Sequence, residues 1–188
     1  MAELYIRDTL IPRETDGTGQ RRTTTQINEI LTGIIPRPPK SLKQVCLGFT
    51  AEYPNDEDAN LFFKLEKINK LHDQNLTTQL SYNTQLQREI YIPNVPQASF
   101  DKIDGHIAIE LEQRNHISFL ALEKFKSNRT GKRYIKIVME SKAAKDQLTT
   151  KGSVHLYQHE LSALAKLSND THTGSTNNRR HTIPNSNG

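Results

Sequence analysis

Ile90-Tyr91-Ile92-Pro93-Asn94-Val95 alternates in steps of two, so a strand through it hides Ile90 and Ile92 on one face and shows Tyr91 on the other. Further along, Thr130-Gly131-Lys132-Arg133-Tyr134-Ile135-Lys136-Ile137 reads as a tight turn feeding a second alternating strand. Lys132, Tyr134 and Lys136 share one of its faces, Ile135 and Ile137 the other. Two strands thus each present a tyrosine among lysines. Rings stack on unpaired bases and ammonium groups hold phosphates, so the pattern suits binding of single-stranded nucleic acid better than turnover. Each tyrosine taken singly is equally well a half-buried strand residue, because aromatic side chains favour strands for packing alone. The pair, flanked by Lys132 and Lys136, favours a binding face.

Of the 188 residues only 34% are apolar, which suits two small cores better than one large one. The net charge of +4 is ordinary for a soluble protein and says little about partners. Its distribution says more. Lys124, Lys126, Arg129, Lys132, Arg133 and Lys136 crowd one segment without an acidic residue among them, which concentrates positive charge on a single hairpin or marks a solvated loop. The lone Cys46 excludes an intrachain disulfide and a cysteine-built zinc site, so a reducing, intracellular setting is expected, nuclear or cytoplasmic. No signal-peptide run and no membrane-length apolar stretch stands in the sequence, and no membrane partner is expected.

From Glu89 onward the elements read strand, helix, strand, strand, helix, strand. Glu89 to Val95 is the first strand. A helix follows from Ser99, a good cap, to Arg114, with Phe100, Ile103, Ile107 and Leu111 at helical spacing. Ile117 to Leu122 and Tyr134 to Met139 form a hairpin about the turn at Ser127 to Gly131. Ser141 to Thr150 is a helix stopped by Gly152, and Val154 to Leu161 is the last strand, with Tyr157 in phase with the exposed face.

The order βαββαβ, in a segment of this length, resembles the RNA recognition motif family. Ile90 to Val95 matches that family's six-residue motif at its constrained positions. Thr130 to Ile137 is similar to the eight-residue motif at Gly131, Tyr134 and Ile135, while Lys132, Arg133 and Ile137 depart from it. The resemblance implies an α+β fold, a two-layer sandwich of ferredoxin-like βαββαβ topology. It also implies base contact at the sheet positions held by Tyr91, Lys132 and Tyr134, two rings and one cation.

The family often occurs in tandem, and the first half supplies a degenerate second copy. Leu4-Tyr5-Ile6-Arg7-Asp8-Thr9 opens like the strand at Ile90, and Ile27, Ile30, Leu31 and Ile34 mark a helix face. Val45 to Phe49 is expected as a strand with Val45, Leu47 and Phe49 inward. A helix after Asp56-Glu57-Asp58 carries Leu61, Leu65 and Ile68 on one face, and Leu76 to Ser81 closes the unit. The second strand is hard to place, since Ile34 to Pro39 is rich in proline. Only Tyr5 remains as an aromatic on this copy's open face, which suits a protein partner or an extended phosphate surface. The expected organisation is a degenerate unit at 1–83, a short linker at 84–87, a second unit at 88–165 and a disordered polar tail at 166–188, where Arg179-Arg180-His181 adds basic charge.

The expected function is binding of single-stranded RNA; whether single-stranded DNA competes is left open by the sequence. Tyr91 and Tyr134 stack successive bases, and Lys132 and Lys136 neutralise phosphates. Lys124, Lys126, Arg129 and Arg133 extend the track, and Tyr157 and Tyr5 are outlying contacts. No cofactor, metal or catalytic residue is expected. His155 and His159 are spaced for a helix but lie on a strand reading, Asp56 to Asp58 suit a helix start, and Gly17-Thr18-Gly19 lacks the lysine of a phosphate loop. Two alternatives stand beside this. Asp58 to Gln87 as one long helix would resemble the oligomeric nucleic-acid chaperones of non-LTR retrotransposon first reading frames, and the sheet of a pseudo-recognition motif would serve a protein-binding adaptor. The oligomeric state is open.

Overall fold

The computed structural model describes residues 1–10 and 22–167; the basic tail cluster and Gly17-Thr18-Gly19 lie outside them. In strand β1, Ala2–Asp8, side chains Ala2, Leu4, Ile6 and Asp8 are buried and alternate with half-buried Glu3, Tyr5 and Arg7. Helix α1, Thr24–Ile34, begins at a capping box: the Thr23 hydroxyl accepts from the Gln26 N–H, and the Gln26 side chain accepts from the Thr23 N–H. Strands β2, Ser41–Val45, and β3, Gly48–Tyr53, form a hairpin. Helix α2, Asp56–Asn60, a 3-10 turn at Leu61–Phe63, helix α3, Leu65–Asp73, and strand β4, Leu76–Leu80, complete this half. The sheet runs β2-β3-β1-β4 with every neighbour antiparallel. Ile27 and Leu31 of α1 and Leu71 of α3 close its core over Leu4, Ile6, Phe49 and Ala51.

Two expectations in this half are corrected. Val45 to Phe49 is not one strand but the corner of the β2–β3 hairpin, with Cys46 exposed and Val45 turned to solvent. Gly48 fixes that corner: a Cβ there would sit 2.0 Å from the Ile6 carbonyl oxygen, so only glycine lets β3 pass β1 at this point. The face expected from Leu61, Leu65 and Ile68 is also broken. The 3-10 turn, tighter than an α-helix, rotates the chain between α2 and α3 and leaves Leu65 74% exposed, while Phe62 and Leu71 take the buried places.

Helix α4, Tyr82–Leu86, capped by Ser81, occupies most of the stretch expected as a linker. The second half follows as β5, Glu89–Pro93; α5, Gln97–Phe100; α6, Asp104–Asn115; β6, Phe119–Lys126; β7, Arg133–Met139; α7, Lys142–Lys151; β8, Ser153–Leu156; and β9, His159–Ser162. Its sheet runs β5-β7-β6, antiparallel throughout. Beside β5, among the described residues, the chain returns only as a single pair, Tyr91 with Leu164, joined by two backbone hydrogen bonds of 2.9 Å. Ile90, Ile92, Ile135 and Ile137 face Ile107, Leu111 and Leu148 of the helices. Helix α7 lies where expected, with Ser141 as its cap instead of its first residue and Gly152 closing it at φ 80°.

The helix expected at Ser99 to Arg114 is divided. Ser99 is buried inside α5 rather than capping, and α6 starts afresh at Asp104. The last strand, expected at Val154 to Leu161, is the β8–β9 hairpin. Tyr157 takes the left-handed conformation at φ 53° and its N–H donates to Glu110 Oε1 at 3.1 Å, which reverses the chain there.

The two sheets are α+β sandwiches of the same element order, taking the β8–β9 hairpin with Leu164 as the final strand position of the second. They meet at α2. Arg88, 1% exposed, donates to Asn60 Oδ1 at 2.9 Å and to the Glu140 carbonyl at 2.8 Å, and Asn60 Nδ2 donates to that same carbonyl at 2.8 Å. A second guanidinium nitrogen lies 3.0 Å from the Asp56 carboxylate. A bulge between Phe119 and Ala121 re-aims Leu120 so that, with Val138, it packs into the core of the first half. Residues 58–87, read in one alternative as a single helix, are helix, 3-10 turn, helix, strand and helix in succession, so the seam that alternative needs is absent from them.

Candidate nucleic-acid interface

Strand register decides which side chains share the helix-free face of the second sheet. Tyr91 pairs with Lys136 and Lys136 with Glu123; Pro93 pairs with Tyr134 and Tyr134 with Phe125. Glu89, Tyr91 and Pro93 therefore line one strand of this face, Tyr134, Lys136 and Val138 the next, and Glu123 and Phe125 the third. Val138 marks the end covered by the first half.

Three rings meet on this face. Phe125 and Tyr134 stack with centroids 5.1 Å apart and planes 7° from parallel, and Tyr91 meets Phe125 edge-on at 6.5 Å. Tyr134 is only 2% exposed, so its ring is covered instead of open to a base. Tyr91 and Phe125 are half-buried. Phe125 has no place in the sequence reading, although folding the hairpin about Arg129 and Thr130 pairs it with Tyr134.

The charges are largely spent within the sheet. Lys136 Nζ lies 2.5 Å from Glu123 and 3.7 Å from the buried Glu89. Glu89 also accepts from the Tyr91 hydroxyl at 2.7 Å and from Gln85 of α4 at 2.8 Å. Burial first, then this bond to a carboxylate, push the Tyr91 phenol well above its ordinary pKa.

The six clustered cations divide by position. Lys126, Arg129 and Lys132 are exposed at the hairpin tip and enter no ion pair among the described residues. Arg133 donates from Nε to the Val95 carbonyl at 2.8 Å. Lys124 points to the helix layer, where Nζ donates to the carbonyls of Phe100 and Lys102 at 3.0 and 2.8 Å and pairs with Asp104 at 2.8 Å. Tyr157 sits in the β8–β9 turn against α6 and the second core, away from the sheet face. Tyr5 is half-buried on the first sheet between Thr50 and Gln79, with Arg7 beside it and otherwise polar neighbours. His155 faces Glu160 across a hairpin, and no cluster of His, Cys, Asp or Glu able to hold a metal occurs among the described residues. None of the described helices is long and apolar enough to cross a membrane.

No family model and no curated protein matches the chain. Among solved structures it is similar to a Sex-lethal protein–RNA complex, at 11% identity over 88% of this chain and 99% of the other, with a TM-score of 0.37. The Drosophila melanogaster Sex-lethal RNA recognition domains 1 and 2 match at 14% identity over 87% and 99% of the two chains, TM-score 0.37. Three N-terminal RNA binding domains of the yeast splicing factor Prp24 match at 17% over 89% of this chain and 66% of that one, TM-score 0.35. At such scores the topology given above rests on its own strand order and register.

Proposed function

We propose that the chain binds single-stranded RNA on the helix-free face of its second sheet, as a non-catalytic binder. The observation that carries this reading is the edge-on pair of Tyr91 and Phe125, with Tyr134 of the central strand stacked against Phe125, beside an exposed tip bearing Lys126, Arg129 and Lys132. Two rings of fixed orientation offer bases a low-entropy stacking surface, and three cations supply phosphate contacts that release counterions. Lys136 acts as a spacer salt-bridged to Glu89 and Glu123, and Lys124 and Arg133 brace the hairpin. The unit at 88–165 is the RNA-binding one, and the unit at 1–83 offers Tyr5, Arg7 and Lys43 as a weaker surface. Single-stranded DNA is the natural competitor, since stacking does not distinguish the sugar.

Anisotropy of a fluorescent mixed-sequence RNA at two salt concentrations tests this. Tyr91→Ala with Phe125→Ala weakens binding at least tenfold if the rings stack on bases, because each contact is worth about 1–3 kcal/mol. Equal binding by wild type and variant, or none by either, sinks the proposal. A second reading, an adaptor binding a polypeptide, is favoured by the neutralised centre of the sheet, where two carboxylates face one ammonium. It predicts no salt-dependent RNA affinity at all.

A further inference from the structure

We infer that Tyr82, on the short helix between the two sheets, is a further base-stacking residue that carries single-stranded RNA from the second sheet across the junction. This rests on the proposed RNA-binding reading. Tyr82 is 76% exposed and Leu86, one turn on, is 42% exposed, so a ring and an aliphatic side chain share a solvent-facing side of α4 with no packing role to explain them.

The helix that bears them is held at several points. The Ser81 N–H donates to the Glu3 carbonyl at 2.9 Å, and the Glu3 N–H donates to the Thr84 hydroxyl at 3.2 Å, which fastens α4 to β1. Lys145 Nζ donates to the Leu86 carbonyl at 3.2 Å, which fastens its other end to α7. Gln85, three residues after Tyr82 and so on a neighbouring side of the helix, donates to the same Glu89 carboxylate that receives the Tyr91 hydroxyl. Gln85 and Tyr91 thus meet at one carboxylate, which places α4, and with it Tyr82 three residues earlier, at the Glu89 end of the sheet face. A pre-positioned ring in water next to a stacking face is the arrangement that extends a base platform at small ordering cost.

The test uses the full chain and a ten-nucleotide fluorescent RNA, with a second copy of the RNA carrying 5-iodouridine for photocrosslinking. Tyr82→Ala should weaken binding about tenfold while Tyr82→Phe keeps wild-type affinity, and the crosslink should map to Tyr82; thermal unfolding should be unchanged in both variants. If Tyr82→Ala binds like wild type and no crosslink reaches it while Tyr91→Ala loses affinity, the inference fails and the sheet reading stands. If the wild type binds no RNA, both fall together.

Discussion

Arg88 shows how much one residue carries. It is buried, its guanidinium bridges Asn60 and the Glu140 carbonyl, and burial holds its pKa below the ordinary value against the opposing pull of Asp56. Arg88→Ala leaves Asn60 Oδ1 without its donor, takes one of two donors from the Glu140 carbonyl and the guanidinium from Asp56, and should cost about 3 kcal/mol in urea unfolding; Arg88→Lys should not restore it, because an ammonium cannot span the fork of partners. Gly48→Ala drives a methyl into the Ile6 carbonyl and should cost about 1–3 kcal/mol in the same experiment. The phenols of Tyr53 and Tyr91 are both raised above their ordinary value of 10, so each contributes stability that is fully present below pH 10 and is lost as pH rises through the higher folded value. Ultraviolet titration of phenolate should find both protonated at pH 10.5, in contrast to the unfolded chain. Tyr91 was legible in the sequence because a two-residue alternation fixes its face. The burial of Tyr134 and the role of Phe125 were not, because both depend on which residues the hairpin pairs.

At the scale of elements, legibility followed local chemistry. Helix α1 was readable from the spacing of Ile27, Ile30, Leu31 and Ile34, and α7 because Ser141 and Gly152 mark its ends through contacts within a few residues. The breaks were not: the reversal at Tyr157 is met by Glu110 and the α5–α6 break by Lys124, partners distant in sequence, and the 3-10 turn at Leu61–Phe63 carries no side-chain cap that would mark it. The bulge in β6 belongs to this class as well. It turns Leu120 out of its own sheet into the neighbouring core, so Leu120→Ala should lower stability by about 1–2 kcal/mol while leaving RNA affinity within twofold. Paired denaturation and anisotropy measurements check both parts.

Across the molecule, the α+β class and the βαββαβ order of its elements were visible in the sequence, whereas the docking of the two sheets was not. The docking joins Asn60, Arg88 and Glu140, three polar residues whose spacing carries no periodic signal. With Leu120 and Val138 sealing the same junction, calorimetry should show one cooperative transition for the intact chain and two partly resolved ones for Arg88→Ala. The single Tyr91–Leu164 pair bears on a different property. Tyr91 already spends its N–H and carbonyl on Leu164, and Pro93, next along the same outer edge, has no N–H to offer. A stray strand from another molecule would find little to bond to there, so the short final strand guards this edge of the second sheet against edge-to-edge pairing at high concentration.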